Sequence, residues 1–449
     1  MNRVALIGEN SIEYINILLD IWNNGNCAVL LDYRIPSATA VEMMVEAQVK
    51  ECYIERKYFE KFQIIIGKSI RLYPYDTTLS TSQLLPTETY DKFRNNYSKD
   101  EAIVIYSSGT TGKSKGIILS HFAINTNSDA IIDYMQVGKS DCMYIVKNLT
   151  HSSTITGELL VALKTKTSLL IAPTVMPPRY IFHNIYKYKV SIIGVNPSLL
   201  SMYALEYRNK NYDISSLKNV YVSGSILSDK LYEIAHMTFI NQKIYNVYGL
   251  SEAAPRVSAQ RKDCCKSNSV GTPIKGVSVA IINEFGEKAS VGQYGIIYVD
   301  SPSIFNGYIT GELKHKSVYH GWLNTGDVGY FDKYGELHIV ERIDDMIIIG
   351  AHKIYPSEIE NKICSIGNIQ ECLIAKIKIR DEDKLCCLYS SKNDIQSDII
   401  NILGKVLMKH EIPKKFVKIV SLPRTQNGKI SRQLAKKILY KELSKENCL

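Results

Sequence analysis

The sequence predicts an α/β protein with a β-rich piece and a small α+β unit at its C-terminal end. Three observations predict it. Residues 1–340 alternate strand-like and helix-like runs, which argues for α/β sheets. From about Gly286 to Val340 the pattern changes to short strands with glycine turns, such as Gly295–Val299 and Gly335–Val340. After the charged stretch Glu341-Arg342-Ile343-Asp344-Asp345, read as a linker, about 105 residues form a compact unit of mixed type.

The elements follow in order. Pro178 to Lys187 reads as a helix, Val190–Val195 as a buried strand, and Pro197 as the opening of a helix toward Tyr207. Asn219–Val222 is a strand ending in Ser223-Gly224-Ser225. Ile244–Tyr248 is a strand ending in Gly249. Ligands in such sheets sit beyond the carboxyl ends of the strands, so Ser223–Ser225 and Gly249–Glu252 are candidate site residues. In the C-terminal unit, Ser357-Glu358-Ile359-Glu360 reads as a capping box opening a helix, and Glu371–Ile379 and Phe416–Leu422 read as strands.

The 449 residues exceed one ordinary core, and 45% hydrophobic with 22% charged residues is a globular composition. No apolar run approaches the ~18–20 residues a membrane span needs, and the N-terminus is too short in apolar residues for a signal peptide. Ten cysteines without C-x-x-C spacing lack the pattern of a zinc site and fit a reduced, cytoplasmic chain. The net charge of +9 is concentrated at the end: Lys405 to Lys445 holds twelve Lys/Arg against two Glu. That surface would attract an anionic ligand or an acidic partner protein, or is simply a solvated helical face. Aromatic residues are not interleaved with it as nucleic-acid binding would require.

The densest chemistry lies in Tyr106-Ser107-Ser108-Gly109-Thr110-Thr111-Gly112-Lys113-Ser114-Lys115-Gly116. Hydroxyls, backbone N–H groups and ammonium groups are what polyphosphate oxygens require. A Walker loop would need glycine where Ser107 stands, followed by a helix. Instead Ile103–Ile105 and Ile117–Leu119 flank the loop, so it is predicted to join two strands.

Further segments follow: Asn246-Val247-Tyr248-Gly249-Leu250-Ser251-Glu252, Trp322–Asp327, Arg342–Ile347 and Pro423-Arg424-Thr425-Gln426-Asn427-Gly428-Lys429. Together with the loop, and in this order, they resemble the motifs of the adenylate-forming superfamily of AMP-binding enzymes. That superfamily includes acyl-CoA synthetases, peptide-synthetase adenylation domains and firefly-type luciferases. The resemblance covers nearly the whole chain and is closest in type to a short acyl-CoA ligase.

The resemblance implies two half-reactions. A carboxylate attacks the α-phosphorus of ATP and releases pyrophosphate, leaving an acyl-adenylate; a thiol then takes the acyl group. It implies that Ser107, Ser108, Gly109, Thr110, Thr111, Gly112, Lys113, Lys115 and Gly116 hold the β- and γ-phosphates, with Thr110 among the catalytic residues. Ser223, Gly224, Ser225, Asn246, Tyr248 and Gly249 would line the nucleotide site, with Tyr248 against adenine. Ser251 would donate to the α-phosphate, and Glu252 would take Mg²⁺, a hard cation suited to a carboxylate and phosphate oxygens. Asp327 would receive the ribose hydroxyls and Arg342 would reach ribose and phosphate. Lys429 would bridge the acid and the α-phosphate, and Asp344 would be the hinge between an AMP-binding domain (1–343) and a mobile C-terminal domain (344–449). A turn aspartate, a core tyrosine and a linker ion pair are the plain alternatives for Asp327, Tyr248 and Arg342.

For the acid, the resemblance points to His151, Ser153 and Arg256. Ser153 stands where an aspartate would anchor an α-amino group, which disfavours amino acids. Arg256 would meet a second carboxylate or another polar group on the substrate, or forms a structural ion pair. Coenzyme A is the expected acceptor and a phosphopantetheinyl carrier protein the alternative; a non-catalytic nucleotide-binding protein on the same fold is the other class. Three departures stand out: Ser114 replaces the usual proline, Ala351 replaces a glycine on the pantetheine route, and the chain begins at a segment well inside most relatives.

Overall fold

The computed structural model describes residues 1–66, 69–77, 81–108, 114–173, 176–260, 269–311, 318–319, 321–349, 352–365, 369–379, 382–391, 402–424 and 430–445. Two large sheets face each other across a shared layer of helices. The first has seven strands in the order Gly307–Tyr308, Ser114–Ser120, Glu101–Ser108, Cys27–Leu31, Arg3–Ile7, Glu51–Glu55, Arg71–Tyr75. Its strands from Cys27–Leu31 to Arg71–Tyr75 pair in parallel. Every residue of Cys27–Leu31 is buried, as expected of a parallel strand covered on both faces.

The second sheet has eight strands. Its parallel centre runs Lys243–Gly249, Asn219–Val222, Ile192–Val195, Cys142–Ile145, Ser168–Ile171. Helices Ile12–Asn23 and His121–Met135, with the helical stretch 152–165, pack their apolar faces into the core between the sheets. Asn10 stitches the two halves. Its side-chain amide donates to the carbonyls of Lys147 and Ala172 at 2.8 and 3.2 Å, and its Oδ1 accepts from Leu149 N at 2.9 Å. A buried amide so fully bonded fixes the segment Lys147–His151 against the first sheet.

A five-stranded sheet follows, built from Ser278–Ile282, Gly295–Asp300, Val318–Tyr319, Trp322–Phe331 and Leu337–Arg342. After it come a hairpin (Ile347–Ile349 with His352–Ile354), helix Pro356–Ser365, a three-stranded sheet (Ile369–Ile379, Glu382–Ser391, Lys415–Ile419) and helix Arg432–Lys445. Among the described residues no helix is long and apolar enough to cross a membrane.

Two local expectations change. Glu341 and Arg342 are not linker but the end of a strand, and Glu341 is buried, accepting from Ser357 N at 2.8 Å. The capping box is not formed. The helix starts at Pro356, Ser357 Oγ donates to Val340 O, and Glu360 takes Ile374 N (2.8 Å) and Arg432 (2.8 and 3.2 Å). A bidentate guanidinium is a stronger partner for that carboxylate than a single backbone N–H.

Candidate active site

The flanks of the Ser/Thr/Gly loop are two antiparallel strands, paired Tyr106↔Gly116, Ser107↔Lys115 and Ser108↔Ser114. The loop therefore joins strands, with no Walker helix. Gly109, Thr110, Thr111, Gly112 and Lys113 lie outside the described residues. Gly116 sits where a Cβ would fall 2.7 Å from Ile309 Cγ1, so the strand Gly307–Tyr308 can lie directly against Ser114–Ser120.

That pairing brings Tyr308 into the site. Its hydroxyl donates to Glu252 Oε1 at 2.9 Å, and Lys115 Nζ lies 5.6 Å from its ring centroid. The backbone agrees: Phe305 N donates to Glu252 O at 2.8 Å. Tyr308 thus links the loop-bearing strand to the carboxylate, a role no spacing in the sequence signals. Ser251 and Glu252 form a short 3₁₀ turn beyond Lys243–Gly249. Ser251 Oγ lies 3.3 Å from Ser152 Oγ, a second neighbour not predicted. Gly249 is forced by packing, since a Cβ there would sit 1.9 Å from Pro255 O.

Three remote segments meet at Asp327. Tyr248 donates to Asp327 Oδ2 at 2.5 Å, and Arg342 Nη1 donates to Asp327 Oδ1 and Thr325 O, each at 3.1 Å. Asp327 and Arg342 are direct cross-strand partners, so one sheet register sets the ion pair. Burial, then the neighbouring carboxylate, pushes the Tyr248 hydroxyl well above its ordinary value and keeps it a donor. Asp327 is buried while Arg342 stays partly exposed, so the guanidinium can reach outward.

Asn246 is turned to a structural task. Its Nδ2 donates to Ser269 O at 3.1 Å and its backbone N to Gln260 Oε1 at 2.8 Å. Ser223 (buried), Gly224 (φ +101°) and Ser225 follow the strand Asn219–Val222 at its carboxyl end. His151 precedes the helical turn Ser152–Thr154, which carries Ser153. Against the cost of burial, Arg34 hydrogen bonds and the charges of Arg34 and His151 hold the Asp32 carboxyl below its ordinary value.

Arg256 is cross-strand from Gly249 and almost wholly buried, at 2% exposure. Asp344 lies in the 3₁₀ segment Ile343–Asp345 and lines a cavity of about 270 Å³ with Met346, Ala375 and Arg432. Arg432 there pairs with Glu341 (3.5 Å), Asp345 (3.6 Å) and Glu360 (2.8 Å). Lys429 and Ala351 lie outside the described residues.

The AMP-binding enzyme family matches over residues 1–309. A 2-succinylbenzoate–CoA ligase of Bacillus mycoides (strain KBAB4) is 26% identical over 450 residues, covering 97% of this chain and 88% of the relative. A 4-coumarate:CoA ligase of Petunia hybrida is 26% identical over 369 residues, covering 78% and 68%. Among solved structures, ATP-bound MatB from Rhodopseudomonas palustris shares the fold with a TM-score of 0.88 at 21% identity, over 97% of this chain and 88% of that one. The o-succinylbenzoate coenzyme A synthetase of Bacillus subtilis with AMP does so at 0.82 and 19%, over 97% and 88%. Matched by that family over well over half of its length, this chain belongs to the AMP-binding enzyme family.

Proposed function

We propose that the chain is an ATP-dependent carboxylic acid ligase that forms an acyl-adenylate, releases pyrophosphate and passes the acyl group to coenzyme A. The convergence of Tyr248, Arg342 and Asp327, beside the Glu252–Tyr308 pair, carries this reading. The CoA ligases among its relatives support the acceptor.

In the first half-reaction an acid carboxylate meets a polyanionic nucleotide, so charge neutralisation and in-line positioning are the main needs. Asp327 presents carboxylate oxygens to the ribose hydroxyls, with Arg342 beside it. Tyr308 fixes one oxygen of Glu252, and the Glu252 carboxylate would hold Mg²⁺, which would neutralise charge on the phosphates. Ser251 and the loop 107–116 donate to phosphate oxygens. Lys429 holds the acid and the α-phosphate together as charge builds. In the second half-reaction the C-terminal unit turns about Asp344, withdraws Lys429, and opens a path for the thiol.

The test is thioester formation with ATP, a carboxylic acid and either coenzyme A or a phosphopantetheinyl carrier protein. Acyl-CoA is expected. Thioester on the carrier alone would replace the acceptor, and no thioester with either would refute transfer.

A further inference from the structure

The C-terminal unit meets the second sheet through one lysine and one arginine. Helix Asp229–Thr238 comes after Ser223-Gly224-Ser225, beyond the carboxyl end of the strand Asn219–Val222. Ser228 caps it, accepting from Leu231 N at 3.3 Å, and Lys230 is its second residue. Lys230 Nζ reaches away from its own helix. It donates to Cys364 O at 3.1 Å and to Ile369 O at 2.5 Å.

Cys364 is the penultimate residue of the helix Pro356–Ser365, and Ile369 opens the strand Ile369–Ile379. The last carbonyls of a helix have no partner within it, and that end favours a cation. Both acceptors are backbone atoms. The two bonds therefore depend on where the helix end and the strand start lie, not on how a side chain has turned. The other end of the same helix is held as well: the Tyr294 hydroxyl, just before the strand Gly295–Asp300, donates to Glu358 Oε1 at 2.7 Å.

The docked arrangement has a direction. Arg424 Nη1 donates to Ser198 Oγ at 3.4 Å, while Nη2 pairs with Glu371. Ser198 is the second residue of the helix Pro197–Asn209, at the carboxyl end of the strand Ile192–Val195. Ser223–Ser225 and the Ser251-Glu252 turn follow the next two strands of that parallel set. Arg424 also pairs with Ile430 in an isolated antiparallel bridge, which closes the base of the segment carrying Lys429. That base is thus set on the same edge of the second sheet as the candidate site.

We propose that Lys230 is a positioning residue: it clasps the C-terminal unit in the arrangement that forms the acyl-adenylate, and its two bonds break before the unit turns for thiol transfer. The inference rests on the ligase reading above. Losing hydrogen bonds to a charged group shifts a two-state equilibrium by ~10-fold or more. Lys230 acts on the position of the unit and not on the reacting atoms, so its loss falls on one half-reaction.

The experiment measures the half-reactions separately in the full chain. Adenylation is read as acid-dependent ATP–pyrophosphate exchange. Transfer is read as thioester formed from coenzyme A and the synthetic acyl-adenylate of the acid that exchanges best, which bypasses the first step. Lys230→Gln should lower kcat of pyrophosphate exchange ~10-fold and leave transfer from the adenylate unchanged or faster. Lys230→Arg, which keeps the cation, should recover the lost exchange. Amide hydrogen exchange should rise in Lys230→Gln at the helices Asp229–Thr238 and Pro356–Ser365, and return toward the unaltered level in Lys230→Arg. Equal losses in both half-reactions, unaltered pyrophosphate exchange, or unaltered amide protection in Lys230→Gln would overturn the clasp while leaving the ligase reading intact. Absence of pyrophosphate exchange by the unaltered protein with every acid would remove the ligase reading, and the clasp's role with it.

Discussion

The Asp327 cluster and the Arg256 cluster are built on opposite plans. Around Asp327, Tyr248 and Arg342 satisfy one another through hydrogen bonds at 2.5 and 3.1 Å, and the arginine remains partly open to solvent. Around Arg256, charges are deeply buried, and one guanidinium nitrogen has no hydrogen-bond partner among the described residues. On the ligase reading proposed above, damage to the Asp327 cluster should slow reaction with every acid by a similar factor.

The largest effect expected on the shared chemistry is from Lys429→Ala. Losing a cation that stabilises developing charge should lower exchange by ~100–1000-fold for all acids, with ATP binding retained. Exchange at the unaltered rate would refute the role given to that lysine. Asp327→Asn comes next. Weakening the charge-assisted hydrogen bonds from Tyr248 and Arg342 costs about 1.5–3 kcal/mol, so the ATP KM should rise by ~10-fold or more, again regardless of the acid. A change in acid preference instead would contradict that expectation. Tyr308→Phe removes a hydrogen bond to a carboxylate, worth about 1.5–3 kcal/mol; activity should fall ~10-fold or more, with the loss concentrated at low Mg²⁺. A Mg²⁺-independent loss would count against the metal role of Glu252.

The smallest effect is on stability. Burial pushes the Glu158 carboxyl up, against the pull of Lys147. A group raised in the folded state stabilises it fully below the ordinary carboxylate value, and that contribution is lost as pH rises through the raised value. The melting temperature of Glu158→Gln minus that of the unaltered protein should therefore increase with pH across that interval. A flat or falling difference would show that Glu158 is not held in this way.

Much of this was legible in the sequence. The alternation of strand and helix placed the strands near Ile192–Val195, Asn219–Val222 and Lys243–Gly249, because buried parallel strands leave continuous apolar runs. The flanks of the Ser/Thr/Gly loop announced two strands because each is a short continuous apolar run, and the two pair antiparallel. What stayed hidden depends on contacts distant in sequence. Tyr308 meets Glu252 only because a two-residue strand pairs with Ile117 and Ile118, far earlier in the chain. Lys147 and Glu158 belong to no motif, and their buried ion pair forms only once a strand end and the helical stretch pack together. Glu360 misled because its local capping partner lost to Arg432, 72 residues away.

Acid-dependent exchange of pyrophosphate into ATP tests most directly that this site makes acyl-adenylates, since it needs no thiol acceptor. With Mg²⁺, ATP and a panel of mono- and dicarboxylates, label should enter ATP only when a suitable acid is present. Exchange that is absent with every acid, or that proceeds equally without one, would contradict adenylate formation by this protein.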